Sequence, residues 1–569
     1  MSGTSGGKQA SCAPIAAEIF LKTLAEHGVD YFFCNPGTDF PPIVEAFTRA
    51  QHSNAKLPRP VLVPHENLAV AMAHGAYLMT GRPQAVMVHV NVGTGNTVNN
   101  ITNAARDRTP LILAAGRTPF TEKGSFGSRS RPIHWAQEMF DQAGMLREMV
   151  KWDYEMKVPE QAADVAARAY EMAMTSPRGP VYLVLPREPL SAPVAETLAS
   201  APRRPPELGH PDPQSIVTLA EWIAAAKAPL IITSADGDPR AVAALSKLAE
   251  DFALPVVNHN PRVVTLPSSH PMHAGYDSGP LVPDADLIIN VECDVPYYPH
   301  YDKLKSSCKI AHIGEDPVYQ RYPMRSFPSD LSLVARAADA FAALHAALEK
   351  HRSAMASGIE TRRDAMAERR KARAAKAAND ARGASDRITP AYLSHCIGEA
   401  FSEAVIFNEY PLQLEYCPRE QPDSFYSLGP AGGLGWGLGA AIGAKLVAPE
   451  KLIVATLGDG SYMFGNPTVS HWVQDKFNIP VLSIIFNNSR YGAVRRATLG
   501  MFKDGVAGET DGRFLADLDP SPPFDAFVTA QGGHGERVED PADVPAALKR
   551  AEDAVRAGKQ ALLNVITPY

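Results

Sequence analysis

Two apolar runs in the last third of the chain end in unusual punctuation. KLIVATLGDG (451–460) closes on Gly-Asp-Gly, and PVLSIIFNN (480–488) closes on Asn-Asn. The stretch between them has room for one crossover helix around 468–478, so the pair predicts a right-handed βαβ unit. Both endings then emerge side by side at the carboxyl edge of a parallel sheet, where open α/β sheets bind their ligands.

The same alternation of strand-like and helix-like segments fills the chain in three series. PVLVPHE, AVMVHVNVG, PLILAAG and GPVYLVLP belong to the first, APLIITS, LPVVNHN, ADLIINVEC and KIAHIGEDP to the second, and EAVIFNE, KLIVATLGDG, PVLSIIFNN and QALLNVITP to the third. Near-continuous apolar strands are what a parallel sheet covered on both faces requires. The fold class is therefore α/β, with three parallel-sheet domains expected at 13–195, 210–345 and 388–569. A Pro-rich break at 200–213 separates the first two. An Ala/Arg/Lys/Glu-rich stretch at 346–387 reads as a solvated helical linker before the third, with a local basic run around 362–375. No short-period repeat is visible, although the first and third series share a similar layout.

At 569 residues, with 45% hydrophobic and 21% charged residues, the chain has the composition of a globular protein with a large interior. A net charge of −7 offers no basic field for a phosphate backbone, so no nucleic-acid partner is expected. The N-terminus lacks the apolar core of a signal peptide and no run is long enough to span a membrane, which points to the cytoplasm and to no membrane partner. The six cysteines, at 12, 34, 293, 308, 396 and 417, form no Cys-x-x-Cys pair and have no His at zinc-ligand spacing, so buried reduced thiols are expected.

The chemistry concentrates in a few places. Asp459 offers a hard anionic oxygen and Asn488 a neutral amide oxygen, while Gly458 and Gly460 let backbone approach a phosphate closely. Together they suit a magnesium ion bridging a diphosphate, although either motif alone is an ordinary strand terminator. Upstream, Gly429-Pro-Ala-Gly432-Gly433-Leu434-Gly435-Trp436 is a backbone clamp leading into the small-residue helix GLGAAIGAK. In the first series, Glu66 follows the apolar run PVLVPH. A carboxylate there either complements a helix dipole or does acid–base work. His89, within MVHV, is by itself as readable as a hydrogen-bonded core residue as it is an acid–base group, and His300 follows a middle-series strand.

These motifs together resemble the thiamine-diphosphate-dependent decarboxylase and carboligase superfamily, whose magnesium–diphosphate signature is GDG followed some two dozen residues later by NN. The resemblance implies that Asp459, the Asn488 side chain and the Arg490 carbonyl hold magnesium, and that Ser461, Tyr491 and Gly492 line the diphosphate. It gives the carbonyl of Gly432, beside Gly433, to the cofactor's 4′-amino group and sets Leu434 under the thiazolium. Glu66 is assigned to N1′ of the aminopyrimidine. The three domains become pyrimidine-binding, middle and diphosphate-binding, with the two halves of each site on different subunits of a homodimer or homotetramer.

Asn35-Pro36-Gly37-Thr38 and His89 before Gly93-Thr94-Gly95-Asn96 are similar to the benzoylformate decarboxylase branch. That branch implies Asn35, Pro36 and Gly37 near the cofactor and His89 and His300 as catalytic histidines. The segments FNEYPLQLEYCPRE and HIGEDPVYQRYPMRSFPSD depart from it, and the stretches NPGT, HEN, GTGN, QEMFDQAG, YPMRSFP and GDGSYMFGNP together resemble an acetolactate-synthase-like subgroup, so the substrates stay at the level of a 2-oxo acid and an aldehyde acceptor. Asp236-Gly237-Asp238 is no dinucleotide fingerprint, and FAD is not expected. A flavin-dependent acetolactate synthase or oxidase, and a cofactor-binding subunit without turnover, stand as the alternatives.

Overall fold

The computed structural model describes residues 13–195, 203–509 and 514–568. By internal contacts the chain divides into two compact units, one ending at Pro206 and the other beginning at Glu207.

The first unit is built on a six-stranded, wholly parallel sheet. Its strands are β1 (Tyr31–Asn35), β2 (Arg59–Leu62), β3 (Gln84–Val88), β4 (Leu111–Arg117), β5 (Asp153–Glu155) and β6 (Val181–Pro186), in the order β2-β1-β3-β4-β6-β5. Every residue of β3 and β6 is buried, as the unbroken apolar runs anticipated.

The second unit carries two more parallel sheets. One comprises β7 (Pro229–Thr233), β8 (Val256–Asn258), β9 (His273–Gly275), β10 (Leu287–Val291), β11 (Lys309–Gly314) and β12 (Leu331–Val334), ordered β12-β11-β10-β7-β8-β9. The other comprises β13 (Val405–Glu409), β14 (Phe425–Ser427), β15 (Ile453–Gly458), β16 (Leu482–Asn487), β17 (His534–Val538) and β18 (Ala561–Ile566), ordered β14-β13-β15-β16-β18-β17. The first and last sheets thus share one topology. The middle sheet has the doubly wound order of dinucleotide-binding domains. In the outer two, strand order reverses between β1 and β3 and between β13 and β15, and crevices open at such switch points.

The helix Arg352–Asp380 differs from a solvated connector. Met355, Ile359, Arg362 and Met366 on one face are buried, and its arginines cap a neighbouring helix, Pro239–Phe252. Arg362 donates from Nε to the Ala253 carbonyl and from Nη2 to that of Phe252, both at 2.9 Å, and Arg363 Nη2 donates to that of Glu250 at 3.1 Å. Those carbonyls are the ones a helix C-terminus leaves without intrahelical partners, and cations are favoured there. Arg373 continues the clamp, donating to the His273 carbonyl and pairing with Glu415. The basic run is therefore spent on backbone carbonyls and one carboxylate. Among the described residues no helix is long and apolar enough to cross a membrane, and the five described cysteines carry free thiols, four of them buried.

Candidate active site

In the first unit, the site residues gather at the β1/β3 switch point. β1 runs into Asn35, Pro36 and Gly37, and β3 runs into His89, which precedes the helix Val90–Arg106. Glu66 is the first residue of the helix Glu66–Thr80 and is only 7% exposed. Its Oε2 accepts from Asn96 Nδ2 at 3.0 Å, so the His-Glu and Gly-Thr-Gly-Asn motifs meet at one carboxylate. A Cβ on Gly93 would stand 3.2 Å from Glu66 Oε1, which explains a small residue there.

His89 is not a lone core histidine. Its Nδ1 lies 2.5 Å from Asp39 Oδ1, and Gln137 Nε2 lies 3.4 Å from its Nε2. The hydrogen bond to Asp39, reinforced by the charges of Asp39 and Glu66 and opposed by burial, holds the imidazole pKa above its ordinary value. A small cavity beside the ring, of about 10 Å³, is lined by Thr38, Asp39, His89, Arg117, His134, Gln137 and Arg187 among others. His134 accepts at Nδ1 from the Ser130 N–H at 3.0 Å, which leaves its proton on Nε2, 3.5 Å from Thr38 Oγ1. Burial, aided by nearby arginines, pushes the His134 pKa down, so it stays neutral.

In the second unit, a fully buried carboxylate organises the other switch point. Glu409 ends β13 and accepts from the N–H groups of Gly435 at 2.7 Å and Gly437 at 2.6 Å; the Ser461 hydroxyl is also bonded to it. The glycine turn 429–436 and the GDG segment are thereby tied to one side chain. Desolvation pushes the Glu409 pKa up, while the N–H donors pull against it. Gly432 and Gly435 have φ of +66° and +81°, so the clamp needs glycine at both for its backbone shape. Gly433 and Leu434 lie between them, half-buried.

Gly458 ends β15, and Asp459 begins the short helix Asp459–Phe464. Asp459 Oδ2 and Asn488 Oδ1 both accept from the Arg490 N–H, at 3.2 and 3.0 Å. Two hard oxygens from different strand ends are thus gathered at one point. Burial raises the Asp459 pKa, while the N–H groups of Gly460, Arg490, Ser489 and Asn488 pull against it. Gly460 packs against Tyr491, whose ring would be 2.5 Å from a Cβ there, and Gly492 N donates to the Arg490 carbonyl at 3.0 Å. His300 lies in the second unit. It is exposed in the turn after β10, edge-on to Tyr301.

Three family models cover this architecture. The N-terminal TPP binding domain of thiamine pyrophosphate enzymes matches residues 15–145, the central domain of the same enzymes 216–344, and their C-terminal TPP binding domain 411–565. The chain belongs to the thiamine pyrophosphate enzyme family. This thiamine pyrophosphate enzyme is 27% identical over 490 residues to benzoylformate decarboxylase of Pseudomonas aeruginosa, covering 83% of this chain and 85% of that one. It is 25% identical over 577 residues to the acetolactate synthase isozyme 3 large subunit of Escherichia coli, covering 96% and 94%. Its fold is similar to that of the Rhodococcus jostii thiamine diphosphate-dependent 4-hydroxybenzoylformate decarboxylase, with a TM-score of 0.77, 23% identity and coverage of 98% and 99%.

Asp39, Asn96, His134, Gln137 and Glu409 were not singled out from sequence. Asp39 directly follows the Asn-Pro-Gly-Thr motif and Glu409 ends an apolar strand, so both carried a readable signal: a carboxylate at the carboxyl end of a central strand.

Proposed function

We propose that the chain is a thiamine-diphosphate- and magnesium-dependent enzyme that cleaves or forms the carbon–carbon bond next to the carbonyl of a 2-oxo acid. The two outcomes are decarboxylation and acyloin-type carboligation to an aldehyde. The observation that carries this reading is the convergence of Asp459 and Asn488 on the Arg490 N–H beside a glycine clamp. One carboxylate oxygen, one amide oxygen and the Arg490 carbonyl are a hard donor set that fits magnesium, and the buried charge of Asp459 is relieved by a divalent cation. Gly458, Gly460, Ser461, Tyr491 and Gly492 would receive the diphosphate, and Gly432, Gly433 and Leu434 the rings, with Asn35, Pro36 and Gly37 contributed by the first unit's switch point.

The cofactor supplies, when bound, a carbanion nucleophile and an electron sink. Glu66, buried and bonded to Asn96, holds a proton against the cofactor's pyrimidine nitrogen. His89 carries protons to and from the reacting carbon, its pKa held above the ordinary imidazole value by the hydrogen bond to Asp39. His300 is assigned a second proton-transfer role from the middle domain.

The chain is read as domains at 13–195, 210–345 and 388–569 joined by a helical 346–387 segment, a reading that the three sheets and the three family matches support. Two copies of the chain would complete each site. Apolar side chains left exposed near each half support this: Val92 and Phe126 in the first unit, and Met501, Phe502, Phe514 and Leu515 in the second. Free thiols fit a reducing cytoplasm.

A flavin is disfavoured by charge. At the middle sheet's switch point, Asp236 has its pKa pushed up to about 7, chiefly by burial and then by Glu292, Asp238 and Glu315. A dinucleotide's diphosphate placed at that edge would meet this acidic cluster.

The test is a panel of 2-oxo acids assayed separately for carbon dioxide and, with added aldehyde, for acyloin. Turnover of at least one acid that requires both thiamine diphosphate and magnesium is expected. A yellow protein whose turnover follows its flavin content would refute the reading.

A further inference from the structure

The first unit's switch point is built around an acid that the proton transfers above do not use. Asp39 is 3% exposed and reaches from the loop after β1 to the end of β3. One carboxylate oxygen meets His89 Nδ1 at 2.5 Å and the other accepts from the Val90 N–H at 3.2 Å. The backbone it grips is strained: Val90 has φ +34°, an outlier for a β-branched residue.

Space has been cleared for both partners. A Cβ on Gly116, in β4, would lie 1.9 Å from Asp39 Oδ2, and a Cβ on Gly37 would lie 2.2 Å from His89 Cγ. Neither glycine has a positive φ. They are required by the room the pair occupies and not by backbone shape. Two glycines, a strained turn and a buried carboxylate, drawn from three separate strand ends, therefore converge on the orientation of one imidazole.

We propose that Asp39 is a positioning residue for His89: it holds the ring with Nδ1–H turned inward and Nε2 turned to the cavity, so that Nε2 alone exchanges protons there. This rests on the reading of His89 as the proton carrier. A carboxylate accepts only, so Nδ1 must carry hydrogen in both protonation states, and Nε2 is the atom that gains and loses it. Gln137 faces Nε2 at 3.4 Å, with its Oε1 buried and without a partner among the described residues. Rotation of that amide lets it donate to neutral Nε2 or accept from Nε2–H. Around the ring, Asp39 and Glu66 favour the charged form, while Arg117 and Arg187 line the same cavity and His134 stays neutral. Among the described residues, Asp39 is the one charged group bonded to the ring.

The experiment compares Asp39→Asn, Asp39→Glu, His89→Gln and the double variant Asp39→Asn/His89→Gln. Asparagine keeps an acceptor for the Val90 N–H, so the turn survives the change. First, protein labelled with 15N-histidine and free of cofactor is titrated by NMR, the His89 signal being assigned by its loss in His89→Gln. The expected result is a titration midpoint displaced to lower pH in Asp39→Asn, with neutral His89 no longer confined to the Nδ1–H tautomer, and retention of both features in Asp39→Glu. Second, in the holoenzyme, kcat for the best 2-oxo acid falls about 10²-fold in Asp39→Asn with KM little changed. That loss vanishes when the change is made in His89→Gln.

An unchanged His89 midpoint and tautomer in Asp39→Asn overturns the proposal. So does an equal kcat loss in the His89→Gln background, which would mark Asp39 as merely structural. Full activity of His89→Gln would instead sink the role of His89 itself, and the titration would still decide whether Asp39 orients the ring.

Discussion

Glu409 makes the sharpest demand on the second unit. It is fully buried, and its two oxygens accept from Gly435 N and Gly437 N at 2.7 and 2.6 Å. Glu409→Ala leaves two backbone donors in the interior without partners. Each such orphan costs about 1–3 kcal/mol, so the glycine clamp should loosen by about 2–6 kcal/mol. Glu409→Gln keeps one acceptor and points an NH₂ at the other N–H, for a loss of about half as much. A single unfolding free energy is ill-defined for so large a chain, so the readout is local: hydrogen–deuterium exchange by mass spectrometry on peptides spanning 432–440. At about 1.4 kcal/mol per decade, the smaller figure corresponds to roughly 30-fold faster exchange, with Glu409→Ala faster than Glu409→Gln. Thiamine diphosphate affinity should fall in the same order. Unaltered protection of 432–440 in Glu409→Ala would refute the idea that this carboxylate holds the clamp together.

Asp459→Ala removes the only anionic oxygen of the proposed donor set, and calorimetric titration should show that magnesium no longer tightens cofactor binding; a magnesium effect of normal size would remove Asp459 from the site. Asp236, with its pKa raised to about 7, gives a pH-dependent stability. Its folded pKa lies above the unfolded value near 4, so its favourable contribution is complete below pH ~4 and is lost as pH rises toward ~7. Asp236→Asn, which never ionises, should therefore raise the urea midpoint of the second unit more at pH 8 than at pH 5, and an equal shift at both would contradict the assignment. Co-expressed heterodimers of Glu66→Gln and Asp459→Ala chains should regain activity in up to half of their sites, because one site per dimer is then assembled from two intact halves; verified heterodimers no more active than either parent would refute shared sites.

Much of this organisation was legible in the sequence because buried parallel strands announce themselves as apolar runs. β3, β6, β10 and β16 are buried at every position and are spelled out by QAVMV, VYLVLP, LIINV and LSIIFN. The edge strands β5, β12 and β17 are partly exposed and carry no such run, and β9 and β14 are three residues long. β1 is central yet buried only at its middle three positions, and it passes straight into the Asn-Pro-Gly-Thr loop. The helix Arg352–Asp380 was visible as a helix, but its docking was not. Arginines that bond to carbonyls of the helix Pro239–Phe252 look, in composition, the same as arginines facing water. The candidate site divides the same way. Residues of the recognisable motifs could be named, whereas Asp39 and Glu409 show themselves only through their bonds to His89 and to Gly435 and Gly437, contacts that folding creates.

The most direct test of the central claim is exchange of the C2 proton of bound thiamine diphosphate in deuterium oxide, followed by quench-flow NMR for the unmodified enzyme and for Glu66→Gln. The account requires rapid exchange in the unmodified enzyme, and cofactor that remains bound but exchanges orders of magnitude more slowly once Glu66 has become an amide. Exchange at the same rate in both proteins, or none above the free cofactor in the unmodified enzyme, would contradict it.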